Sequence, residues 1–323
     1  MNKFSDNRVT KIIVLLISAG TLLWLGYVSY IDFDKLKAFF TFEYLSFLVA
    51  ILLVIPFLFY KKGRYARPVF LLVSIALFGF LQYACPRPTG AIEIMLYNHS
   101  KGHSLQWHLF IKVGFILALS LLFAKYYCGW ICPKGIIQEY LYSHRFKITI
   151  PDKLDKILKW GKYITLILLI ASPILFQYKL FRDIGPFKVI FNLDGTTYLI
   201  IFLAIVLLSS IFIERAYCRY FCPFGALLGI LSFFSFNRIR FLDTDSKCRA
   251  CNLCANVCPT NAIERATKTE EYIAINSFEC ITCKECIKSC PHELIYFGSD
   301  KSETSKVNLD KKTKPEIKGG LIK

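Results

Sequence analysis

The chain has 323 residues, of which 55% are hydrophobic and 20% charged, and its mean hydropathy of +0.45 is too apolar for an ordinary soluble domain. Its net charge of +17 sits mostly beside apolar runs, the distribution of positive-inside flanks, which argues against a nucleic-acid partner. Thirteen cysteines in such a chain exclude a small secreted disulfide scaffold and suit metal ligation in a reducing compartment.

Taken in order, the polar start carries Lys3, Arg8 and Lys11, and an apolar run of about twenty residues follows from Ile12 to Ile31, enough to span a bilayer. No signal-peptide cleavage site is evident, so this run is expected to persist as a first helix. Further spans are expected near Phe39–Tyr60, Pro68–Ala84, Leu109–Tyr127, Tyr163–Phe176 and Thr197–Ala216. Six spans put both termini on one side of the membrane. The basic turn with Lys61, Lys62, Arg64 and Arg67, and the basic connection Lys134–Lys162, assign that side to the cytoplasm. The tryptophans near span ends, Trp24, Trp107 and Trp130, read as interfacial belts.

An internal repeat lies in this apolar part. KYYCGWICPKGII around Cys128 matches RAYCRYFCPFGAL around Cys218, ninety positions on (128 to 218, 132 to 222). The match extends weakly back to Gln82-Tyr83 against Gln177-Tyr178. Each copy carries C-x3-C-P: Cys128, Cys132 and Pro133, then Cys218, Cys222 and Pro223. If the helix continues through them, the i, i+4 spacing places both thiols of a pair on one face. Two pairs meeting about a pseudo-two-fold axis supply four thiolates. The residues leave three readings open: a third iron–sulfur centre, a redox dithiol pair, or a copper site. Arg215 and Arg219 beside Cys218, with His144 and Arg145, have two readings: positive charge that lowers a thiolate's pKa and stabilises a reduced, more negative cluster, or, as the simpler reading, anchors to anionic lipid head groups.

The strongest signal begins at Cys248. CRACNLCANVCP and CITCKECIKSCP are both C-x2-C-x2-C-x3-C-P runs, the spacing of bacterial two-cluster ferredoxins, in which the fourth Cys of each run ligates the other cluster. The crossed rule gives Cys248, Cys251, Cys254 and Cys290 to one [4Fe–4S] cluster and Cys280, Cys283, Cys286 and Cys258 to the second. Pro259 and Pro291 lack an N–H and turn the chain away after the last ligand. Zinc would favour separated C-x2-C pairs. Between the runs, Ile263 and Tyr272–Ile275 are expected to form a small two-stranded ribbon. From Ser299 the Lys- and Ser-rich tail is expected to be disordered.

Two CxxxCP motifs after membrane helices, followed by a two-cluster ferredoxin run, resemble the NapH family of membrane iron–sulfur proteins, and are similar in arrangement to the C-terminal region of NosR and to CcoG. The resemblance covers roughly Val69 to Pro291. It implies electron transfer among quinol, the CxxxCP region and two [4Fe–4S] clusters, with a membrane or periplasmic redox protein as partner. An additional N-terminal span departs from the family's usual four or five helices. The CcoG likeness keeps open a copper-binding or copper-reducing assembly factor for a respiratory oxidase. A redox-sensing regulatory protein is a further alternative.

The fold expected is therefore a membrane all-α part of about six helices with an internal repeat, plus a small α+β two-[4Fe–4S] ferredoxin domain. Its parts are a transmembrane hairpin (1–67), a membrane core with the two CxxxCP repeats (68–243), the ferredoxin domain (244–298) and a disordered basic tail (299–323). The expected place is the bacterial inner membrane, with the ferredoxin domain and both termini cytoplasmic. The expected partners are the lipid bilayer and the quinol pool; no Gly-rich nucleotide loop is evident. The outward segment with Glu93, His99, His103 and His108 could offer proton acceptors to a quinol, although a solvated loop is the simpler reading. Cys85, before Pro86, reads as structural.

Overall fold

In the computed structural model of the protein, the described residues are 67–76, 88–102, 107–148, 150–192, 195–242, 248, 251–265, 272–299, 303–304 and 306–308. All of them belong to one folding unit. The expected spans Ile12–Ile31 and Phe39–Tyr60 lie outside the described residues, as do Cys85, Gln82-Tyr83 and most of the 299–323 tail.

The helical part runs α1 (Arg67–Ser74), α2 (Pro88–Ser100), α3 (Trp107–Phe123), α4 (Tyr126–Trp130), α5 (Pro133–Leu141), α6 (Asp152–Leu158), α7 (Gly161–Leu175), α8 (Leu180–Ile184), α9 (Lys188–Asn192), α10 (Thr197–Phe212), α11 (Ala216–Tyr220) and α12 (Pro223–Phe233). Helix α7 packs against α2 and α12, and α3 packs against both of these. Leu166, Leu169 and Ala226 form one core of this bundle, and Phe187, Phe191, Leu203 and Val206 form another around α9 and α10.

Each CxxxCP repeat interrupts its helix instead of prolonging it. Helix α3 stops at Phe123 as Ala124 turns left-handed (φ 56°), and α10 stops at Phe212 before Arg215 does the same (φ 55°). A five-residue helix follows in each copy, then the second Cys caps a new helix whose first residue is proline, where a missing N–H is harmless. The turn is built alike in both: Cys132 N donates to Tyr127 O (2.9 Å) and Cys222 N to Tyr217 O (3.0 Å). The i, i+4 helical face expected for each pair is thus replaced by a short helix and an N-cap.

These breaks shorten the helices. Among the described residues one run, Asp152–Leu175, in which α6 and α7 join, is long and apolar enough to cross a membrane; Thr197–Phe212, Val113–Phe123 and Pro223–Phe233 are apolar but shorter. The six-span expectation is not met by the described part. The segment 88–100, expected as an outward loop, is helix α2.

The ferredoxin part contains β1 (Arg238–Leu242), α13 (Leu253–Asn256), β2 (Tyr272–Ala274), α14 (Glu285–Ser289), β3 (Ile295–Gly298), β4 (Glu303–Thr304) and β5 (Lys306–Asn308). Strand β1 is the middle of an antiparallel sheet ordered β3-β1-β4, with Ile239 opposite Phe297 and Phe241 opposite Ile295. Strand β2 pairs with β5, and Ile263 and Ile275 form an isolated antiparallel bridge in place of a longer ribbon. Two expectations change here. Residues 238–242, expected at the end of the 68–243 membrane core, are the central strand, and the tail contributes β4 and β5, so the strands reach beyond the expected 244–298. Both segments hide short β patterns within polar sequence, and alternation over so few residues is a weak signal.

The two cysteine runs also repeat in backbone shape. Asn252 and Lys284, the first residues after Cys251 and Cys283, both have positive φ (56° and 67°), as do Asn261 and Glu293 three residues after Cys258 and Cys290 (49° and 53°).

Candidate functional site

The strands that flank the cysteine runs cover two hollows in alternation. One hollow is lined by Cys248, Cys251, Cys254 and Cys290 with Phe241, Ile273 and Ile295. The other is lined by Cys258, Cys280, Cys283 and Cys286 with Ile239, Ile275 and Ile281. Residues two apart on a strand share a face, so Ile239 and Phe241 on β1 cover one hollow each, and Ile273 and Ile275 do the same beyond. Each hollow is thus lined by three cysteines of one run and the last cysteine of the other.

The donor chemistry of both hollows fits a [4Fe–4S] cluster: four thiols, apolar walls, and backbone N–H groups turned to sulfur, such as Ala262 N to Cys258 Sγ at 3.2 Å. Burial pushes the thiols up, Cys254 and Cys280 each to about 12, with the charge of neighbouring cysteines adding to the rise at both. Thiols raised in this way stay protonated at neutral pH unless a cationic centre draws their protons off, which is the behaviour of ligands that deprotonate on metal binding.

Cys128, Cys132, Cys218 and Cys222 also converge. Burial raises the Cys128 thiol to about 12, and the charges of Cys132 and Cys222 add to it. Cys218 is raised well above the usual range by burial and then by Cys222, Cys132 and Cys128. The two repeats therefore bring four thiols into one electrostatic group. Gln138 Nε2 donates to Cys218 Sγ (3.2 Å) and Gly225 N to Cys222 Sγ (3.4 Å), while Gln138 Oε1 accepts from Tyr217 N (2.9 Å). Among the described residues no three His, Cys, Asp or Glu side chains close on the position of a single ion; a four-iron cage holds its ligands farther apart.

The loop carrying the second ferredoxin set docks on the first CxxxCP turn. Trp130 is fully buried and donates Nε1–H to Thr282 O (3.1 Å). Lys162 pairs with Glu279 at 2.5 Å, both side chains buried, and Ser232 Oγ donates to Ser277 O at 2.6 Å. Phe233 stacks on Phe278 with centroids 5.0 Å apart. Gly229 is needed at this seam because a Cβ there would lie 2.7 Å from Phe278 O. Asp155 accepts from Tyr220 Oη (2.7 Å) and Asn261 Nδ2 (3.1 Å) and pairs with Arg219.

Several side chains serve otherwise than their sequence context suggests. Trp130 is a wedge between the two parts and not an interfacial belt residue. Arg215 is 1% exposed and paired with Glu139, and Arg219 is tied to Asp155, so neither is free to anchor lipid. Glu93 is buried and accepts from Phe181 N (2.8 Å), which removes it as an open proton acceptor. The side chains of His103, His108 and His144 lie outside the described residues. Gln138, Glu139, Arg67 and Gly129 carry no motif, and only their positions near the CxxxCP turn connect them with the site.

Comparison with known proteins agrees with this layout. A family model described as a 4Fe-4S binding domain matches residues 105–151 and 195–240, one match per CxxxCP repeat, and a 4Fe-4S dicluster domain matches 247–309. An uncharacterized protein of Methanocaldococcus jannaschii is 32% identical over 228 residues, 68% of this chain and 90% of the relative. The ferredoxin-type protein NapH of Haemophilus influenzae is 28% identical, over 57% of this chain and 66% of NapH.

The chain belongs to the NapH-like family.

It is an iron–sulfur electron-transfer protein whose CxxxCP repeats and ferredoxin run match 4Fe-4S domain families. The putative electron transport protein YccM of Escherichia coli is a further relative of this NapH-like chain, 31% identical over 57% of the chain and 53% of YccM. The chain thus spans about half of YccM and just under two thirds of NapH. No solved structure matches it.

Proposed function

We propose that this chain is a membrane-anchored electron-transfer protein that passes electrons between a quinol and a redox partner through three [4Fe–4S] sites. The two crossed ferredoxin sets would hold two clusters, and Cys128, Cys132, Cys218 and Cys222 a third. Each cluster, when bound, supplies one-electron chemistry. The observation that supports the reading is the proximity of the three cysteine sets to one another. Arg215 is within electrostatic reach of Cys218 and of Cys283, and Cys286 is within reach of Cys254 in the other ferredoxin set. Gln138, Gly225 and Ala262 orient the sulfurs, and the apolar walls exclude water.

Membrane anchoring rests on outward apolar faces. Ile164, Ile167 and Leu175 on α7, and Ile201, Ile205 and Leu208 on α10, are all more than half exposed. Such faces suit lipid contact.

The quinol site proposed is a hollow of about 610 Å³ between the start of α7 and the ferredoxin part. Ala262 and Ile263 line both it and the hollow of the second ferredoxin set. Trp160, Tyr163 and Phe278 offer aromatic faces for a ring, and Lys159 a hydrogen-bond donor for its oxygen. Exposed Trp160 leads on to Ile164 and the apolar face of α7, a path for an isoprenoid tail. A quinol oxidised there loses two electrons, one at a time, to the one-electron centres, and two protons to water at the open mouth.

The test is anaerobic mixing of the cluster-loaded chain, in lipid nanodiscs, with a soluble quinol analogue. Bleaching of the iron–sulfur absorbance is expected, and Trp160→Ala is expected to slow it several-fold while reduction by dithionite is unchanged. Absence of quinol-driven bleaching in the parent protein would overturn the quinol reading.

A further inference from the structure

The position three residues before the first cysteine of each CxxxCP repeat is basic: Lys125 before Cys128 and Arg215 before Cys218. Both side chains are almost completely buried, at 4% and 1% exposure. Each spends a charged donor on a backbone carbonyl at the seam. Lys125 Nζ donates to Phe278 O, and Arg215 Nη1 donates to Cys128 O at 2.6 Å. Each shares one carboxylate, half-buried at Glu139 and buried at Glu279, with a second buried cation. Glu139 is held by Arg215 (Nε to Oε2, 2.9 Å) and by Arg67 (2.8 Å). Glu279 is paired with Lys162 and is within electrostatic reach of Lys125.

At Glu279 two buried cations, Lys125 and Lys162, face one carboxylate. At Glu139 the second cation, Arg67, also meets Glu285, so there two cations face two carboxylates and Arg215 brings a fixed charge without a local surplus. Burying charge is costly, and cations held this deep are not retained for stability alone. Both Lys125 and Arg215 lie where thiolates gather. Lys125 is within electrostatic reach of Cys128 and Cys222 on one side and of Cys280 on the other. Arg215 is within reach of Cys128 and Cys218 on one side and of Cys283 on the other. Arg67 completes the arrangement: its Nε donates to Gly129 O (3.2 Å), next to the carbonyl that Arg215 takes, and its Nη1 meets Glu285 (3.2 Å) inside the second ferredoxin run.

We infer that Lys125 and Arg215 are a repeat-related pair of positioning residues that hold positive charge between the CxxxCP cysteines and the Cys258/Cys280/Cys283/Cys286 set, and so raise the reduction potentials of the centres in both sets together. A cluster with four thiolate ligands is an anion, and a fixed cation beside it favours the added electron. Raising both potentials from one shared charge keeps the two centres matched for electron exchange across the seam. The main influences on the Cys254 thiol are burial and the cysteines of its own set, with neither Lys125 nor Arg215 among them, so the Cys248/Cys251/Cys254/Cys290 set serves as an internal reference. The inference rests on the cluster assignments proposed above.

The experiment is an EPR-monitored redox titration of the full chain, purified without oxygen, with each signal assigned by cysteine variants. Arg215→Gln and Lys125→Gln are expected to lower the midpoints of the CxxxCP centre and of the second ferredoxin centre and to leave the reference centre in place. Arg215→Lys, which keeps the charge, should stay near the parent. Glu139→Gln should move the same two midpoints upward, because it removes the opposing charge. A merely structural role does not produce opposite signs. Unmoved midpoints in variants that retain their iron, or an equal shift of all three centres, would overturn the inference. If Arg215→Gln loses iron, Glu139→Gln decides the sign, and an absent or downward shift there overturns it. If the parent holds no CxxxCP centre, the third-site assignment falls, while the cation pair is still tested at the second ferredoxin centre.

Discussion

Gly129 lies so close to Ile281 that a Cβ added to it would stand 2.2 Å from the Ile281 carbonyl oxygen. That contact puts the backbone between Cys128 and Cys132 directly against the backbone between Cys280 and Cys283. Hydrogen at the α-carbon is thus a condition of the approach of two cysteine sites, and the buried Trp130 beside it fixes the register through Thr282.

Gly129→Ala is expected to force the second ferredoxin loop away from the CxxxCP turn, at a cost of about 1–3 kcal/mol, typical of overpacking a close contact. Hydrogen exchange of the 278–286 segment should accelerate relative to the β1–β3 pair. Unchanged exchange in that segment would show that the contact does not hold the two parts together.

Crossed ligation makes the last cysteine of each run report on the other run's site. Cys290→Ser should alter the EPR signal that also responds to Cys248→Ser, and Cys258→Ser the signal that responds to Cys280→Ser. Pairing of Cys290 with Cys280 instead would contradict the two hollows described here.

Glu139 gives a pH dependence with a defined sign. Burial alone would raise its carboxyl, but Arg215 and Arg67 hold it below the ordinary carboxylate value. A group whose folded value is depressed stabilises the fold above its unfolded value, about 4.3, and loses that contribution as pH falls through the folded value. The seam between the CxxxCP turn and the ferredoxin part should therefore loosen in that acid window, seen as faster exchange of 278–286. Glu139→Gln should be looser already at neutral pH and lack this acid step; an acid step of the same size in the variant would rule Glu139 out as its source.

How much of this was readable in advance differs by element. The grouping of the ferredoxin cysteines around two hollows was, because it follows local spacing; their crossed ligation is the proposal made above. The CxxxCP repeat was readable as a motif but not as a shape. Nothing in KYYCGWICP indicates that Ala124 turns left-handed and splits the helix, since a single positive φ at a non-glycine leaves no sequence signature. The seam was hidden for a different reason. Trp130, Arg215 and Glu139 look like ordinary span-end residues in sequence, and their burial depends on a partner surface more than sixty residues away in the chain. The strands at 238–242, 303–304 and 306–308 were missed because their partners lie far off in the chain, β3 and β4 for β1 and β2 for β5, and pairing of distant short segments is a tertiary property.

The most direct test of the central claim is iron and acid-labile sulfide content of anaerobically purified protein, beside a Cys128→Ser/Cys218→Ser variant. Three [4Fe–4S] sites predict about twelve irons in the parent and about eight in the variant, with loss of one low-temperature EPR signal. About eight irons in both, with identical signals, would contradict a third centre at the CxxxCP cysteines.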